Sequence, residues 1–201
     1  MYSTQLYHRL TPQYLGHGDK YASAAEGGMG NLDYSDVITL VKAGITKGLI
    51  DPNRVVIGGW SQGGFLSYLS TTRSDFQFKA AICGAGVTDW DLMSMTSDLP
   101  SFESQLAGKA PWENGSRKSQ NRHGSAIWHM EDIKTPILIL HGEKDVRVPT
   151  SQAIAFHRGC LHHKIPCEMV IYPREGHLIN ERNHRIDMLK RVRRFVELHL
   201  G

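Results

Sequence analysis

The stretch Gly59-Trp60-Ser61-Gln62-Gly63 has the G-x-S-x-G spacing that sets a serine on a sharp turn between a strand and a helix. A serine hydroxyl attacks a carbonyl only when a base takes its proton, and that base works best when an acid orients it. The apolar run Arg54-Val55-Val56-Ile57-Gly58-Gly59 predicts the strand, and Gln62 to Thr71 predicts the helix. Gly59 and Gly63 leave space for a tight turn that lifts Ser61 above the carboxyl edge of a sheet, and Gly64 extends the small surface for close helix packing. A helix start also aims backbone N–H groups at developing negative charge, so the Gln62 N–H is the expected oxyanion donor.

The acid and the base are expected in two later loops. Asp145 follows an apolar run within His141-Gly142-Glu143-Lys144-Asp145-Val146-Arg147-Val148-Pro149, where a carboxylate can project toward the same rim as Ser61. Glu143 is the competing carboxylate, nearer the strand end. His177 follows a second apolar run in Pro173-Arg174-Glu175-Gly176-His177-Leu178, with Gly176 leaving the backbone adaptable beside the ring. A lone histidine among eleven carries little weight. The order Ser61, Asp145, His177 is the Ser, acid, His order of α/β-hydrolases, and it gives His177 its role as base. His162-His163 reads as a polar surface patch rather than a metal site, and Cys83 as a core residue rather than a nucleophile.

Four strands and four helices must position these side chains. Val37, Ile38, Val41, Ile45 and Leu49 recur at the spacing of one buried helix stripe, ahead of a turn at Asp51-Pro52-Asn53. After the elbow come strands at Lys79 to Gly84, Pro136 to His141 and Glu168 to Tyr172, with a helix from Thr150 to Cys160 between the last two. The third strand is almost continuously apolar, as a parallel strand covered on both faces should be. A last helix carries Ile186, Leu189, Val192, Phe195 and Val196 inward. The alternation predicts an open, mostly parallel α/β sheet flanked by helices. Thr88 to Arg122 is too long for an ordinary connection; it reads either as a substrate-facing insertion or as a surface excursion anchored by Trp90 and Trp112.

Composition excludes several other classes. With 201 residues, 40% apolar and 21% charged, the chain reads as one globular domain able to bury roughly 70% of its unfolded surface. No run reaches the length of a membrane span, and no signal-peptide succession opens the chain. The net charge of +3 says nothing of nucleic acid, and Lys190-Arg191-Val192-Arg193-Arg194 reads as the solvated face of the last helix. Cys83, Cys160 and Cys167 make neither a disulfide framework nor a close metal-binding pair.

The stretches Asp51 to Gly64, Leu138 to Pro149 and Tyr172 to His177 together resemble the catalytic domain of the prolyl oligopeptidase family of serine peptidases, nearest its acylaminoacyl-peptidase and dipeptidyl-peptidase branch. The resemblance runs from about Pro12 to Glu197. It implies an α/β-hydrolase fold with Ser61 as nucleophile, Asp145 as acid and His177 as base, in agreement with the residues read alone. Members usually carry an N-terminal β-propeller and early sheet strands with a Gly-rich oxyanion loop. Here 60 residues precede Ser61, and Thr11 to Asp19 resembles the segment after those strands. Residues 1–201 are accordingly expected to be the later part of such a domain, completed by a missing N-terminal region or by a second copy.

The expected reaction is hydrolysis of a peptide amide through an acyl-enzyme, with a peptide or small acyl substrate and with neither metal nor organic cofactor. Trp60, Trp90 and Trp112 are the candidate lining of an apolar substrate pocket, with simple packing as the alternative. Ser61, Asp145 and His177 would equally serve a carboxylic-ester hydrolase, and a catalytically impaired fragment or interaction module is the reading from another class. Nucleic acid and a membrane span are not expected. A cytoplasmic location is favoured, with secretion left open.

Overall fold

Four apolar runs, each too short for a buried helix and each followed by a helix-forming segment, become four parallel strands. The computed structural model describes residues 23, 26–113 and 122–201; the Thr11 to Asp19 segment lies outside them. Helix α1 (Leu32–Thr46) precedes β1 (Val56–Trp60), α2 (Gln62–Thr71), β2 (Ala80–Gly84), α3 (Trp90–Thr96), α4 (Pro100–Ala107), β3 (Ile137–Gly142), α5 (Ser151–His162), β4 (Cys167–Tyr172) and α6 (Arg182–Leu200). The sheet runs β1-β2-β3-β4, parallel throughout, with Gly59 beside Cys83, Cys83 beside Ile139, and Ile139 beside Met169. All four strands therefore end at one rim. Among the described residues β1 has a strand on one side only.

Helices cover both faces, which is why β3 is buried along its whole length. On one side Tyr68, Phe156, Cys160, Ile137 and Ile139 pack together; on the other Leu138, Leu140, Tyr172 and Phe195 do. A third cluster joins α1 and α2 to the insertion through Ile38, Phe65, Leu69, Trp90 and Met93. This is an α/β-hydrolase-like fold. Cys83 lies fully buried at its centre, and burial holds its thiol well above the ordinary range, as befits a packing residue.

Two expectations need correction. Helix α1 ends at Thr46 because Gly48 takes φ 68°, so Leu49 falls past the helix and is exposed rather than part of the stripe. On α6 the inward residues are Met188, Val192 and Phe195, whereas Leu189 points outward at 65% exposure, one residue round from Met188. The Thr88 to Arg122 stretch holds two helices. Asp89 caps α3 by accepting the Asp91 and Leu92 N–H groups, and Pro100 opens α4 at its first turn, two local signals that could have located them.

The basic run near the end of α6 lies on a solvated face: Arg191 pairs with Asp187 and Glu168, Arg193 with Glu197, and Arg194 with Glu168. Among the described residues no helix is long and apolar enough to cross a membrane.

Candidate active site

Strand β1 ends at Trp60 and α2 begins at Gln62, so Ser61 alone makes the turn between them. It holds φ 56° and ψ −116°, a conformation that costs a side-chain-bearing residue about 1–3 kcal/mol and persists only where its surroundings enforce it. The enforcement is visible. Ser61 N–H donates to Gly84 O at 2.9 Å, and Ser61 O accepts from Phe65 N–H at 2.9 Å. A Cβ added at Gly59 would lie 2.5 Å from the Gly63 carbonyl carbon, and one at Gly64 would lie 2.1 Å from Gly84 O. Close approach therefore requires Gly59 and Gly64. At Gly63 an added Cβ would meet nothing within 4 Å, so the expected steric reason for that glycine does not hold.

The loops after β3 and β4 bring two more side chains to this turn. Ser61 Oγ lies 2.9 Å from His177 Nε2, and His177 Nδ1 lies 2.8 Å from Asp145 Oδ2. An ionised carboxylate only accepts, so the ring proton belongs on Nδ1, and Nε2 is left to accept from the serine hydroxyl. Asp145 is buried, and its Oδ1 accepts the Arg147 and Val148 N–H groups at 3.0 Å each. Burial by itself would raise the Asp145 pKa. Hydrogen bonds from His141, His177 and the Val148 N–H outweigh it and hold the carboxyl well below the usual range. The arrangement can draw a proton from Ser61 onto the ring and stabilise the charge that results.

Backbone contacts sew the acid loop to the histidine loop. Glu143 N–H donates to Tyr172 O at 2.9 Å and Lys144 N–H to Glu175 O at 2.7 Å, while Gly142 packs so closely on Glu175 and Gly176 that an added Cβ would lie 2.1 Å from Gly176 O. Glu143, the competing carboxylate, faces away from the ring and accepts Arg174 N–H. Glu175 is buried and accepts the Asn180 and Glu181 N–H groups and the His184 ring N–H, which fixes the start of α6. Glu175, Glu181 and His184 are also the described group whose atoms lie close enough to share an ion, yet protein donors already occupy Glu175.

The three tryptophans do not form one pocket. Trp90 is 1% exposed and packs edge-on against Phe65 at 5.2 Å, in the cluster beneath α1 and α2. Trp112 is 64% exposed. Trp60 lies on the opposite face of the sheet, where its ring covers Gly84 and its indole N–H donates to His177 O at 2.7 Å. It holds the histidine loop, a role that composition alone could not reveal. Gln62 stands first in α2, so its backbone N–H has no acceptor within the helix. Its side-chain amide lies 3.4 Å from Asp33 Oδ2, tying the start of α1 to the elbow.

Sequence reasoning missed His141 and Glu103. His141 is buried in β3; its Nε2 donates to Val148 O at 2.8 Å and lies 3.4 Å from Asp145 Oδ2, so it braces the acid from below. Glu103, on α4, is 5% exposed, and burial is the chief reason that its carboxyl is pushed up to about 7. Asp98 raises it further, whereas Arg147 and His177 oppose the rise. The turn before α4 is stitched to the acid loop: Asp98 N–H donates to Val146 O at 3.0 Å, Ser97 Oγ–H to Arg147 O at 2.8 Å, and the Arg147 guanidinium pairs with Asp98 at 2.7 Å.

The sequence pattern of the prolyl oligopeptidase family matches residues 15–201. The chain belongs to that family. The chain is similar to acylamino-acid-releasing enzyme 1 of Oryza sativa subsp. japonica, 29% identical over 184 residues that cover 87% of this chain and 24% of the relative. Dipeptidyl-peptidase 5 of Porphyromonas gingivalis is 30% identical over 165 residues, 82% of this chain and 24% of its own length. Among solved structures, a puromycin-hydrolyzing peptidase of Mycobacterium tuberculosis superposes with a TM-score of 0.84 at 25% identity, over 93% of this chain and 28% of that one. The chain thus spans about a quarter of the length of the relatives it matches, on the catalytic-domain side, with no coverage of a propeller.

Proposed function

We propose that the chain carries a serine peptidase site that hydrolyses peptide amide bonds through an acyl-enzyme. The observation that most supports this reading is the continuous hydrogen-bonded line from Asp145 through His177 to Ser61, drawn from three separate strand ends onto a strained elbow. Ser61 Oγ attacks the carbonyl carbon while its proton passes to His177 Nε2. The C–N bond then breaks as the Nε2 proton moves to the leaving amine. Water, deprotonated by the same nitrogen, attacks the acyl carbon, and Ser61 recovers its proton as the ester bond breaks. Asp145 holds the tautomer and stabilises the imidazolium, and the Gln62 N–H faces the oxyanion. Each step runs through side chains and backbone of this chain.

The names of the relatives, which denote release of acylamino acids and of dipeptides, support a peptide or small acyl substrate. The same geometry would serve carboxylic esters, and a matched amide and ester pair separates the two. The first test is selective labelling of Ser61 by a fluorophosphonate, abolished in Ser61→Ala. Labelling followed by turnover of the amide supports the peptidase reading. Turnover of the ester alone replaces it with the esterase, and a folded, unlabelled chain removes both.

A further inference from the structure

His141 follows Ile137-Leu138-Ile139-Leu140 in β3 and is as fully buried as those apolar residues. Its Nε2 faces two acceptors, Val148 O at 2.8 Å and Asp145 Oδ2 at 3.4 Å, so Nε2 carries the ring proton. Nδ1 then holds a buried lone pair that meets no partner among the described residues. A leucine here would strand no polar atom, so the stranded nitrogen calls for a reason. The contacts of Nε2 point to Asp145. Val148 N–H donates to Asp145 Oδ1 while Val148 O accepts from His141, so one ring spans both ends of the turn from Asp145 to Val148. Asp145 Oδ2 is also the oxygen that meets His177 Nδ1 at 2.8 Å. Strand β3 lies between β2 and β4, with His141 beside Ile171, which anchors the ring inside the sheet. Burial alone would raise the Asp145 carboxyl, and His141 stands first among the groups that bring it down.

We propose that His141 is a positioning residue for the reaction: its Nε2–H holds Asp145 Oδ2 in line with His177 Nδ1, and so keeps the His177 proton on Nδ1, away from Ser61. His141 touches neither Ser61 nor substrate in this role and acts through the carboxylate alone. Without its N–H, Oδ2 is held only by His177, and the carboxylate tilts about the two backbone N–H groups that fix Oδ1. An imidazole that loses its carboxylate places its single proton on Nε2 as readily as on Nδ1, and a ring protonated on Nε2 cannot accept from Ser61. The effect on rate rests on the peptidase reading of the site, whereas the effect on the His177 proton does not.

The test compares the full chain with His141→Leu, which fills the space but has no N–H, and with His141→Gln, whose amide NH₂ stands in for Nε2–H. Nitrogen-15 shifts of the histidine rings at pH 8, read through the ring carbon protons, give each tautomer, and His177 is assigned by its loss in His177→Ala. His177 should hold its proton on Nδ1 in the parent and divide it between both nitrogens in His141→Leu. Fluorophosphonate labelling at saturation should slow by about 10-fold in His141→Leu, with the half-saturating probe concentration unchanged. His141→Gln should restore the tautomer and most of the rate. Urea unfolding checks that each variant is folded; if His141→Leu is not, His141→Asn replaces it, since its amide is too short to reach Asp145 Oδ2. A His177 tautomer that is the same in parent and variant, a parent ring protonated on Nε2, or a loss in His141→Gln equal to that in His141→Leu overturns the proposal. A parent that does not label removes the peptidase reading, and the His177 tautomer still decides the role of His141. A parent that labels, with a His177 tautomer indifferent to His141, removes the role of His141 alone.

Discussion

Replacing Glu103 by glutamine should stabilise the protein at alkaline pH and leave it little changed in mild acid. The side chain is buried on α4 and its carboxyl is pushed up to about 7, chiefly by burial, from an ordinary value of 4.5. Between those two values the folded chain keeps a proton that the unfolded chain has released. The associated stability is therefore complete below pH 4.5, declines as pH rises through 7, and stays lost above it. A difference of about 2.5 pH units, at about 1.4 kcal/mol for each, sets the loss at up to about 3 kcal/mol. Glutamine keeps the shape and has no charge to desolvate. Urea unfolding of both proteins at pH 4.5, 6, 7 and 8 should thus show the stability gap between variant and parent widening by up to about 3 kcal/mol. Asp145 and the other acids titrate equally in both and cancel. A gap that stays constant across the four pH values would refute the claim that Glu103 is desolvated in the folded chain.

Asp145→Asn should lower kcat by about 10⁴-fold, because an amide can donate to Nδ1 and favour the tautomer that leaves Nε2 protonated; the rate of fluorophosphonate labelling reads this directly. The same variant tests acid stability. The Asp145 carboxyl is held below its ordinary range, so its contribution is present above about pH 4 and lost as pH falls toward the folded value; Asn should flatten the dependence of the unfolding midpoint on pH below 4. Trp60→Phe deletes the indole N–H that holds His177 O and should cost about 1 kcal/mol in urea unfolding, with a fall in kcat larger than any change in KM. Gly64→Ala should destabilise by about 3 kcal/mol or prevent folding, since its Cβ would lie 2.1 Å from Gly84 O, whereas Gly63→Ala should fold and melt close to the parent.

What could be read in the sequence was whatever local chemistry determines. The elbow was legible because Gly-Gly-Trp-Ser-Gln-Gly-Gly following a β-branched run leaves the backbone few alternatives, and α2 begins and ends at Gln62 and Thr71 as expected. Asp145 and His177 stood out because each follows an apolar run, and parallel strands deliver such loops to one rim. The tryptophans were not separable: Trp90 and Trp112 sit in similar polar stretches, and only the packing of α3 on Phe65 decides that one is core and the other surface. His141 continues an apolar strand with nothing beside it to suggest that its ring supports Asp145. Nothing in the residues around Glu103 marks it as buried, because its burial depends on how α4 packs.

That stitching also bears on how the insertion influences chemistry. The Arg147 backbone is held from two sides, its N–H by Asp145 Oδ1 and its carbonyl by Ser97 Oγ–H, while its guanidinium grips Asp98. A surface ion pair of this kind contributes little to global stability, up to about 1 kcal/mol. Its effect on the site need not be small, because the two peptide groups that fix Asp145 Oδ1 belong to the residues the insertion holds. Asp98→Ala should leave the unfolding free energy within about 1 kcal/mol of the parent and still slow labelling of Ser61, since a loosened loop spends less time presenting Asp145 to His177. A variant that labels at the parental rate would show that the acid loop keeps its shape unaided.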